Sequence, residues 1–267
     1  MTTDSTVTLR TGRQMPVLGL GTWLLKNDTA GSVTEALRLG YRQIDTSGDY
    51  GTQPGVGEAL RRTEVPREDV YLVTKVEEDE DAYEASRRNL DELGQDYVDL
   101  MLIHRPPPSG AGVELWEALI RARDEGLARD IGVSNYRAEQ IDELVQATNE
   151  LPAVNQVEWS PFGWSPEVLE WSSQRGIVIQ AYSPLTRARR LDDEHVRAVA
   201  DRHGATPAQV LLRWSIELGT VPLPKANQRQ HQLENLGALD LELTDADMAE
   251  LNGLNERSST LGSLPYV

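Results

Sequence analysis

The sequence predicts an α/β fold: a (β/α)8 TIM barrel that occupies residues 1–267 as a single domain. Eight short apolar segments alternate with segments whose apolar residues recur at helical spacing, which indicates strands and helices in turn. Three of the strand-like segments end about thirty residues apart, roughly the length of one parallel strand-helix-strand unit. The chain has no Pro/Gly/Ser-rich linker, and its length suits a barrel of about 250 residues.

An open doubly wound sheet is the competing fold. Such sheets normally carry the pattern G-x-G-x-x-G after the first strand, where the glycines let the backbone approach a bound dinucleotide. The corresponding segment here, residues 19–24 (GLGTWL), lacks the third glycine. The barrel is therefore favoured.

The strands follow in order along the chain. A hairpin formed by residues 6–10 and 14–17 is expected to cap one end of the barrel. The barrel strands are predicted at residues 18–22, 42–45, 70–75, 98–103, 130–133, 154–158, 177–182 and 220–223. Each is short and apolar enough to be covered on both faces, as strands of parallel sheets are.

The helices are predicted at residues 29–39, 55–62, 80–93, 113–125, 137–147, 166–175, 194–203, 207–218 and 229–237. Residues 206–209 (TPAQ) combine a hydroxyl at the N-cap, proline at the first helical position and glutamine at the third, which together start a helix. Residues 244–247 (TDAD) open a final helix with acidic residues at its positive end. It follows the last strand, so we expect an extra C-terminal helix outside the barrel.

Composition excludes several classes of function. The net charge of −17 repels nucleic-acid phosphates and anionic lipids. The opening residues are polar and lack the apolar core of a signal peptide. No later run of about 18 apolar residues could span a membrane. Without cysteine there are no disulfides or thiolate ligands, and the four histidines show no metal-binding spacing. We expect a cytoplasmic monomer without a metal ion, nucleic-acid partner or membrane partner.

The composition of the charged residues is also unusual. Lysine occurs three times and arginine 23 times, against 43 acidic residues. An acidic, lysine-poor surface suits a cytoplasm rich in salt. A GC-rich genome would explain the arginine excess equally well, although not the acidity.

Four polar residues lie where a barrel keeps its chemistry. Asp45, Lys75 and His104 each end a predicted strand, and Tyr50 follows Asp45 by five positions. The carboxyl ends of parallel strands meet at one face of the barrel, so these side chains are expected to converge there.

This set suits proton transfer to a carbonyl oxygen. Tyr50, with an ordinary pKa near 10, could donate a proton if a neighbouring cation such as Lys75 stabilised its phenolate. Asp45 would hold the ammonium in place, and His104 could orient the substrate carbonyl. Taken singly, each residue could instead pack, cap a helix or fill the interior; their shared position at successive strand ends favours catalysis.

Eight segments, in order, carry a resemblance to the aldo-keto reductases, and within them to short prokaryotic members similar to 2,5-diketo-D-gluconate reductases. The resemblance covers nearly the whole chain. The segments are residues 19–23 (GLGTW), 41–46 (YRQIDT), 73–75 (VTK), 96–104 (DYVDLMLIH), 131–135 (IGVSN), 152–156 (PAVNQ), 181–185 (AYSPL) and 224–225 (PK).

The resemblance implies a barrel that binds NADPH, with NADH as a second candidate, and reduces aldehydes or ketones to alcohols, as an alcohol dehydrogenase (NADP+)-type oxidoreductase. It assigns Asp45, Tyr50, Lys75 and His104 the roles given above, with hydride from nicotinamide C4. It implies that Ser134, Asn135 and Gln156 bind the carboxamide and that Tyr182 stacks on the nicotinamide. The remaining predicted cofactor residues are Gly21, Thr22, Asp45, Ser183, Leu185, Lys225, Asn227, His231, Glu234 and Asn235, together with Arg187 and Arg190, which are predicted from their charge below. Alternatively, Ser134 and Asn135 could cap the next helix and Tyr182 could fill the barrel.

The chain departs from the family pattern around the cofactor 2′-phosphate. The family commonly has serine directly after the last-strand lysine and arginine six residues later; here these are Ala226 and His231. Lys225, Asn227 and Arg229 could still hold the phosphate, while Glu234 and Asn235 match adenine-contacting residues. The expectation is NADPH use with a weakened preference over NADH, less so when His231 is protonated.

Two cationic features bear on ligands. Residues 186–190 (TRARR) follow the Tyr182 strand, so Arg187 and Arg190 could clamp the cofactor pyrophosphate, unless the loop is merely solvated. Arg105 replaces a tryptophan common in the family after His104; it could favour acid-bearing carbonyl substrates or simply face solvent. Trp23, Tyr50, His104 and Arg105 are the expected substrate residues, with Phe162 and Trp164 as further candidate walls. Any of the three residues Trp23, Phe162 and Trp164 could instead be part of the core. Short loops and a short tail suggest an open pocket.

Three functions are consistent with these features of the sequence. The first is a reductase of keto acids, diketo-sugar acids or aldehydes in general. The second is a cofactor-binding sensor on the same barrel without physiological turnover, which the presence of all four catalytic side chains argues against. The third is a phosphate-binding barrel isomerase.

Overall fold

The computed structural model describes residues 1–25, 27–264 and 266. Eight parallel strands form one sheet in which each strand pairs with its neighbour in chain order. The barrel strands are β3 (Leu20–Gly21), β4 (Gln43–Asp45), β5 (Tyr71–Val76), β6 (Val98–Ile103), β7 (Ala128–Ser134), β8 (Val154–Glu158), β9 (Val178–Tyr182) and β10 (Val221–Pro222). All eight lie within two residues of the predicted positions.

Backbone hydrogen bonds join the first strand to the last. The amide of Gly19 donates to the carbonyl of Pro222 and the amide of Gly21 donates to the carbonyl of Pro224, both at 3.1 Å. A Cβ at Gly21 would lie 2.9 Å from the Leu223 carbonyl oxygen, so only glycine permits this approach. The sheet is therefore closed, and the predicted barrel is confirmed.

Ten helices lie in the described part of the chain: α1 (Thr29–Leu39), α2 (Gln53–Arg62), α3 (Ala82–Leu93), α4 (Val113–Asp124), α5 (Ala138–Thr148), α6 (Pro166–Gln174), α7 (Glu194–His203), α8 (Pro207–Glu217), α9 (Arg229–Leu236) and α10 (Asp245–Asn252). The predicted caps at Thr206 and Thr244 both form capping boxes. The final helix α10 packs against α7 outside the barrel, as expected. None of these helices is both long and apolar enough to cross a bilayer.

The predicted hairpin closes the amino-terminal end of the barrel. Strands β1 (Thr6–Thr8) and β2 (Gln14–Pro16) pair in antiparallel fashion. Leu9 and Met15, at its turn end, are buried against interior side chains of the barrel strands. Ligands must therefore enter from the opposite end, where the strands finish.

A second apolar cluster joins β8 and β9 to the helices α7, α8 and α10. Trp159, Trp164 and Trp214 meet edge to face, with ring centroids 5.9 and 5.6 Å apart, and Phe162 joins the same cluster. Phe162 is 1% exposed and Trp164 is 7% exposed. Of the two possibilities for Phe162 and Trp164, pocket wall or core, the structure favours core, because both rings are buried in this cluster with Trp214 of α8 and Leu251 of α10.

Polar contacts from α2 and α3 support the end of β5. The Gln53 amide donates to Asn89 at 3.1 Å, and Asn89 donates to the Lys75 carbonyl at 2.8 Å. Thr74 donates to the Gln53 side-chain oxygen at 2.6 Å. The spacing between α2 and α3 therefore helps to fix the backbone that carries Lys75.

Gly57 tests this packing. Helix propensity alone predicts that Gly57→Ala stabilises the protein by about 1 kcal/mol. A Cβ there would, however, lie 2.3 Å from the Leu93 carbonyl oxygen, so overpacking should instead lower the free energy of unfolding by about 1–3 kcal/mol. Urea denaturation measures the change.

The matched control is Gly253→Ala, directly after α10, where the nearest atom to an added Cβ is 3.2 Å away. We expect it to be neutral or stabilising. A Gly57→Ala variant as stable as the wild type would show that α2 does not approach α3 this closely.

Candidate active site

A buried ion pair occupies the open end of the barrel. Lys75, in β5, donates to both carboxylate oxygens of Asp45, at 2.8 and 3.0 Å, and to the Thr46 carbonyl at 2.8 Å. The Lys75 side chain is fully buried. Gln156 adds an amide hydrogen bond to Asp45 at 2.8 Å. Both charges are thus well compensated, which a buried pair requires.

Tyr50 lies beside this pair. It ends a single 3-10 turn, Gly48–Tyr50, that follows β4. Its ring centroid is 4.8 Å from the Lys75 nitrogen and 5.7 Å from the His104 ring, which it meets edge to face. The structure therefore brings together the four residues predicted to be catalytic.

The environment keeps Tyr50 protonated. Burial, followed by the charges of Asp45, Asp49 and Glu77, raises the pKa of Tyr50 well above its ordinary value, and Arg105 acts weakly in the opposite direction. We expected Lys75 to favour the phenolate. That effect does not dominate, because the ammonium is already neutralised by the Asp45 carboxylate in direct contact with it.

His104 has a carboxylate partner that the sequence reading missed. Glu77 directly follows β5, and its oxygens lie 2.8 and 3.0 Å from Nδ1 of His104. Burial opposes ionisation of Glu77, but hydrogen bonds from His104 and Ser47 and the charges of His104 and Arg105 leave its pKa below the ordinary value. A polar residue immediately after a strand end was the signal available in the sequence.

An amide and hydroxyl network lies across the barrel mouth. Asn135 donates to Ser134 Oγ at 3.0 Å and to the His104 carbonyl at 3.1 Å, and Tyr182 donates to Asn135 at 2.8 Å. Ser134 donates to the Gln156 carbonyl at 2.8 Å. The helix-capping alternative for Ser134 and Asn135 is wrong, since α5 has its N-cap at residue 137.

This network fits a nicotinamide. Burial raises the pKa of Tyr182, so the ring stays neutral, and its hydroxyl is fixed by Asn135. Gln156 uses its Nε2 for Asp45 and Gln180, while no described residue hydrogen-bonds to its Oε1. An aromatic ring beside an open amide acceptor matches a flat ring that carries a carboxamide.

Gly21 and Thr22 end β3 at the same face. Thr22 is buried and shares a hydrogen-bonded chain of hydroxyls with Thr52 and Thr46, at 3.0 and 2.9 Å. Thr52 therefore does not cap α2 with its side chain. Five further polar residues support the site through hydrogen bonds, although their local sequence pattern does not indicate this role. They are Thr46, Thr52, Gln53, Asn89 and Gln180.

The residues predicted for the cofactor tail cluster after β10. Lys225, Asn227 and His231 are exposed, and Ala226 is buried. The Nδ1 of His231 lies 3.3 Å from a Glu234 oxygen. Asn235 is 2% exposed, and its Nδ2 has no partner among the described residues.

The two arginines proposed as a phosphate clamp differ in their surroundings. Arg190 pairs with Glu256 at 3.0 Å and with Asp193 at 3.2 Å, and stacks on Phe162. Arg187 lies over the Trp23 ring at 4.6 Å, in a loop where residues 186–188 have left-handed backbone angles. Ser183 and Leu185 precede this loop. The guanidinium of Arg190 is already paired with carboxylates, which makes it a weaker candidate than Arg187; the phosphate clamp stays a prediction for both residues.

Arg105 is not an isolated cation. Its guanidinium lies 3.7 Å from Asp49, 3.5 Å from Glu77 and 3.6 Å from Glu78. Asp49, Glu77 and His104 also place ligand atoms within 4.8 Å of one another, a grouping that sequence spacing does not reveal. Arg105 already supplies positive charge to these carboxylates, so the mouth is acidic on balance.

The C-terminal tail folds back onto the site. The amides of Glu256 and Ser258 donate to the Phe162 carbonyl at 3.1 and 3.0 Å. Ser259 and Thr260 donate to the buried Glu158 at the end of β8, at 2.6 and 2.7 Å. The tail is therefore anchored at the mouth, and Trp23 remains 40% exposed.

Known proteins resemble this chain over most of its length. A sequence model described as the aldo/keto reductase family matches residues 17–256. An aldo-keto reductase of Mycobacterium sp. (strain MCS) is 43% identical, covering 94% of this chain and 90% of the relative. One from Mycolicibacterium vanbaalenii is 41% identical, covering 94% and 92%.

Solved structures show the same fold. An aldo/keto reductase from Brucella melitensis has a TM-score of 0.89 at 36% identity, covering 94% of this chain and 99% of that one. A Bombyx mori aldo-keto reductase in complex with NADP has a TM-score of 0.90 at 31% identity, covering 96% and 94%. With a family match over most of its length and relatives above 40% identity, this chain belongs to the aldo/keto reductase family of nicotinamide-dependent oxidoreductases.

Proposed function

We propose that the protein reduces aldehydes or ketones to alcohols with NADPH, with Tyr50 as the general acid. The observation that carries this proposal is the meeting of Tyr50 with the Lys75–Asp45 pair and His104 at the open end of the barrel. The NADP complex of the Bombyx mori relative supports the choice of cofactor.

The residues divide the chemistry between them. When bound, the reduced nicotinamide supplies a hydride from C4 to the carbonyl carbon. Tyr50 gives its proton to the oxygen that becomes an alkoxide, and Lys75 stabilises the phenolate that remains. His104 donates a hydrogen bond to the same oxygen and so orients the carbonyl. Asp45 keeps the ammonium in place, which needs no motion during the reaction.

The cofactor would lie across the mouth from β7 towards β10. Ser134, Asn135 and Gln156 would bind the carboxamide, and Tyr182 would stack on the ring. Arg187 would approach the pyrophosphate from the loop that contacts Trp23. Ser183 and Leu185 would line this path, with Gly21 and Thr22 opposite.

The 2′-phosphate site supports only a weak preference for NADPH. Ala226 offers no hydroxyl, Arg229 pairs with Glu35, and His231 faces Glu234. Lys225 is exposed, and no described carboxylate pairs with it. One free ammonium and an imidazole beside a carboxylate hold a phosphate less firmly than a fixed guanidinium does.

The acidic mouth bears on the substrate. Around Arg105 three carboxylates outnumber the one guanidinium, so an anionic keto acid or diketo-sugar acid meets net repulsion. We therefore favour neutral aldehydes and ketones, and the resemblance to 2,5-diketo-D-gluconate reductases stays a hypothesis. The predictions of a cytoplasmic, monomeric, single-domain, salt-adapted protein also stay predictions.

The first test is turnover. The wild-type protein should oxidise NADPH in the presence of a neutral aldehyde such as 4-nitrobenzaldehyde, at low or high salt. Tyr50→Phe should lower kcat by about 10²–10⁴-fold, because the general acid is lost. Tyr97→Phe, whose ring stacks between Arg67 and Arg129 before β6 begins, is the control and should keep wild-type kcat. Equal kcat for Tyr50→Phe and the wild type would refute the proposed acid, and an inactive wild type that still binds NADPH would favour a sensor.

The second test concerns the cofactor. The ratio of kcat/KM for NADPH over NADH should fall as pH rises from about 5.5 to 8, where free histidine side chains lose their proton. His231→Arg should raise the ratio and remove its pH dependence. His195→Gln is the control, since His195 pairs with Glu250 on α10 and should not affect the ratio. A large NADPH preference at every pH in the wild type would contradict the hypothesis.

The third test compares 4-nitrobenzaldehyde with 4-carboxybenzaldehyde. The carboxylate-bearing aldehyde should have the lower kcat/KM, by about 3–10-fold at low salt, and the gap should narrow as salt screens the mouth. Arg105→Ala should widen the gap. A preference for the carboxylate that is lost in Arg105→Ala would restore the keto-acid hypothesis.

A further inference from the structure

The imidazole of His104 contacts the carboxylate of Glu77 through its Nδ1 atom. The Glu77 carboxylate lies 2.8 and 3.0 Å from Nδ1, and its side chain is only 18% exposed. Ser47 donates to the same carboxylate at 3.2 Å and so fixes its orientation. We propose that Glu77 is a positioning residue that sets the tautomer and the protonation of His104 in the carbonyl reduction proposed above.

The tautomer follows from the hydrogen-bonding chemistry. An ionised carboxylate can only accept, so Nδ1 of His104 must carry the hydrogen. The other nitrogen, Nε2, then has a lone pair in the neutral ring and an N–H in the imidazolium. No described protein group hydrogen-bonds to Nε2. It is therefore the nitrogen available to a substrate oxygen.

The charged groups around the His104 ring are mostly carboxylates. Asp49 lies 3.6 Å from Nδ1, so two carboxylates face the ring, from the β4 and β5 connections. The cations near it are Arg105, which is shared among carboxylates, and Lys75, which Asp45 neutralises. Tyr50 is uncharged. The hydrogen bond from Nδ1–H to Glu77 becomes charge-assisted on both sides when the ring carries a positive charge, so Glu77 is placed to stabilise an imidazolium during the reaction.

The functional consequence is a second donor at the reacting oxygen. The imidazolium can donate from Nε2 to the oxygen that gains negative charge, while the proton that is transferred still comes from Tyr50. Neutral His104, with its hydrogen held on Nδ1, can only accept and would leave that oxygen with one donor. Turnover should thus decline as pH rises and His104 loses its proton, and Glu77 delays that decline.

The experiment is the pH dependence of kcat with 4-nitrobenzaldehyde and saturating NADPH. Glu77→Gln keeps the size of the side chain and an acceptor but removes the charge. It should lower kcat about tenfold at neutral pH and move the high-pH limb down by about one unit. Glu77→Asp, which keeps the charge at a longer distance, should lower kcat but leave the limb nearer its wild-type position. Asp79→Asn, an exposed acid in the same loop, is the control and should match the wild type.

A double-mutant cycle shows whether Glu77 acts through His104. Glu77 also raises the pKa of Tyr50, so the cycle distinguishes an effect through His104 from an effect through Tyr50. In a His104→Gln background, Glu77→Gln should have no further effect on kcat or on the limb. A full effect in that background would overturn the inference, because Glu77 would then act on another group.

A readout independent of turnover is the ring nitrogen shifts of the protein labelled with ¹⁵N-histidine. Four histidines are present, and His104→Gln assigns the signals of His104. We expect hydrogen on Nδ1 in the wild type, and a titration of His104 displaced to lower pH in Glu77→Gln. Hydrogen on Nε2 alone would overturn the inference.

The outcomes separate the two proposals. An inactive wild-type protein removes the proposed reductase and this inference with it. If the wild type is active, Tyr50→Phe is inactive and Glu77→Gln has wild-type kcat and pH profile, the reductase stands and the inference falls. Tryptophan fluorescence quenching by NADPH checks that each variant is folded.

Discussion

The ammonium of Lys75 is buried beside Asp45 at the end of the barrel, and the rest of the site depends on that pair. A buried pair contributes little net stability, and removal of one partner typically costs about 3–5 kcal/mol because the other charge is left without compensation. The Thr46 carbonyl and the Gln156 amide complete its compensation, while Asn89 holds the Lys75 backbone through the carbonyl oxygen. Their positions follow from the lengths of β4, β5 and β8, so the fold itself sets the place of the charge.

Charge balance then decides what each neighbour can do. Because Asp45 neutralises Lys75, the ammonium does not draw the proton from Tyr50, and burial leaves the phenol as an acid. On the other side of Tyr50, Glu77 and Asp49 surround His104. A phenol between a neutralised cation and an imidazole with carboxylate partners can supply a proton without either partner moving.

The same balance accounts for the mouth of the pocket. The acidic character visible in the net charge of −17 continues into the loops after β4 and β5, where carboxylates take up Arg105. At the β9 end, Arg190 is taken up by Glu256 of the tail. In a chain so rich in acidic residues, basic residues near the surface such as Arg105 and Arg190 pair with carboxylates, which makes them less available to a ligand.

The sequence by itself determined the barrel, its strands and the four side chains at the strand ends. Apolar periodicity fixes which segments are strands, and parallel strands place their carboxyl ends at one face, so Asp45, Lys75 and His104 had to be neighbours. Only the tertiary structure decided their partners. Glu77 contacts His104, Glu35 pairs with Arg229, and Trp164 packs in an apolar cluster. These contacts depend on side-chain directions and loop paths, which leave no periodic pattern in the sequence. Those contacts join residues far apart in the chain, and the physical reason they escape prediction is that each depends on the distance between elements after packing.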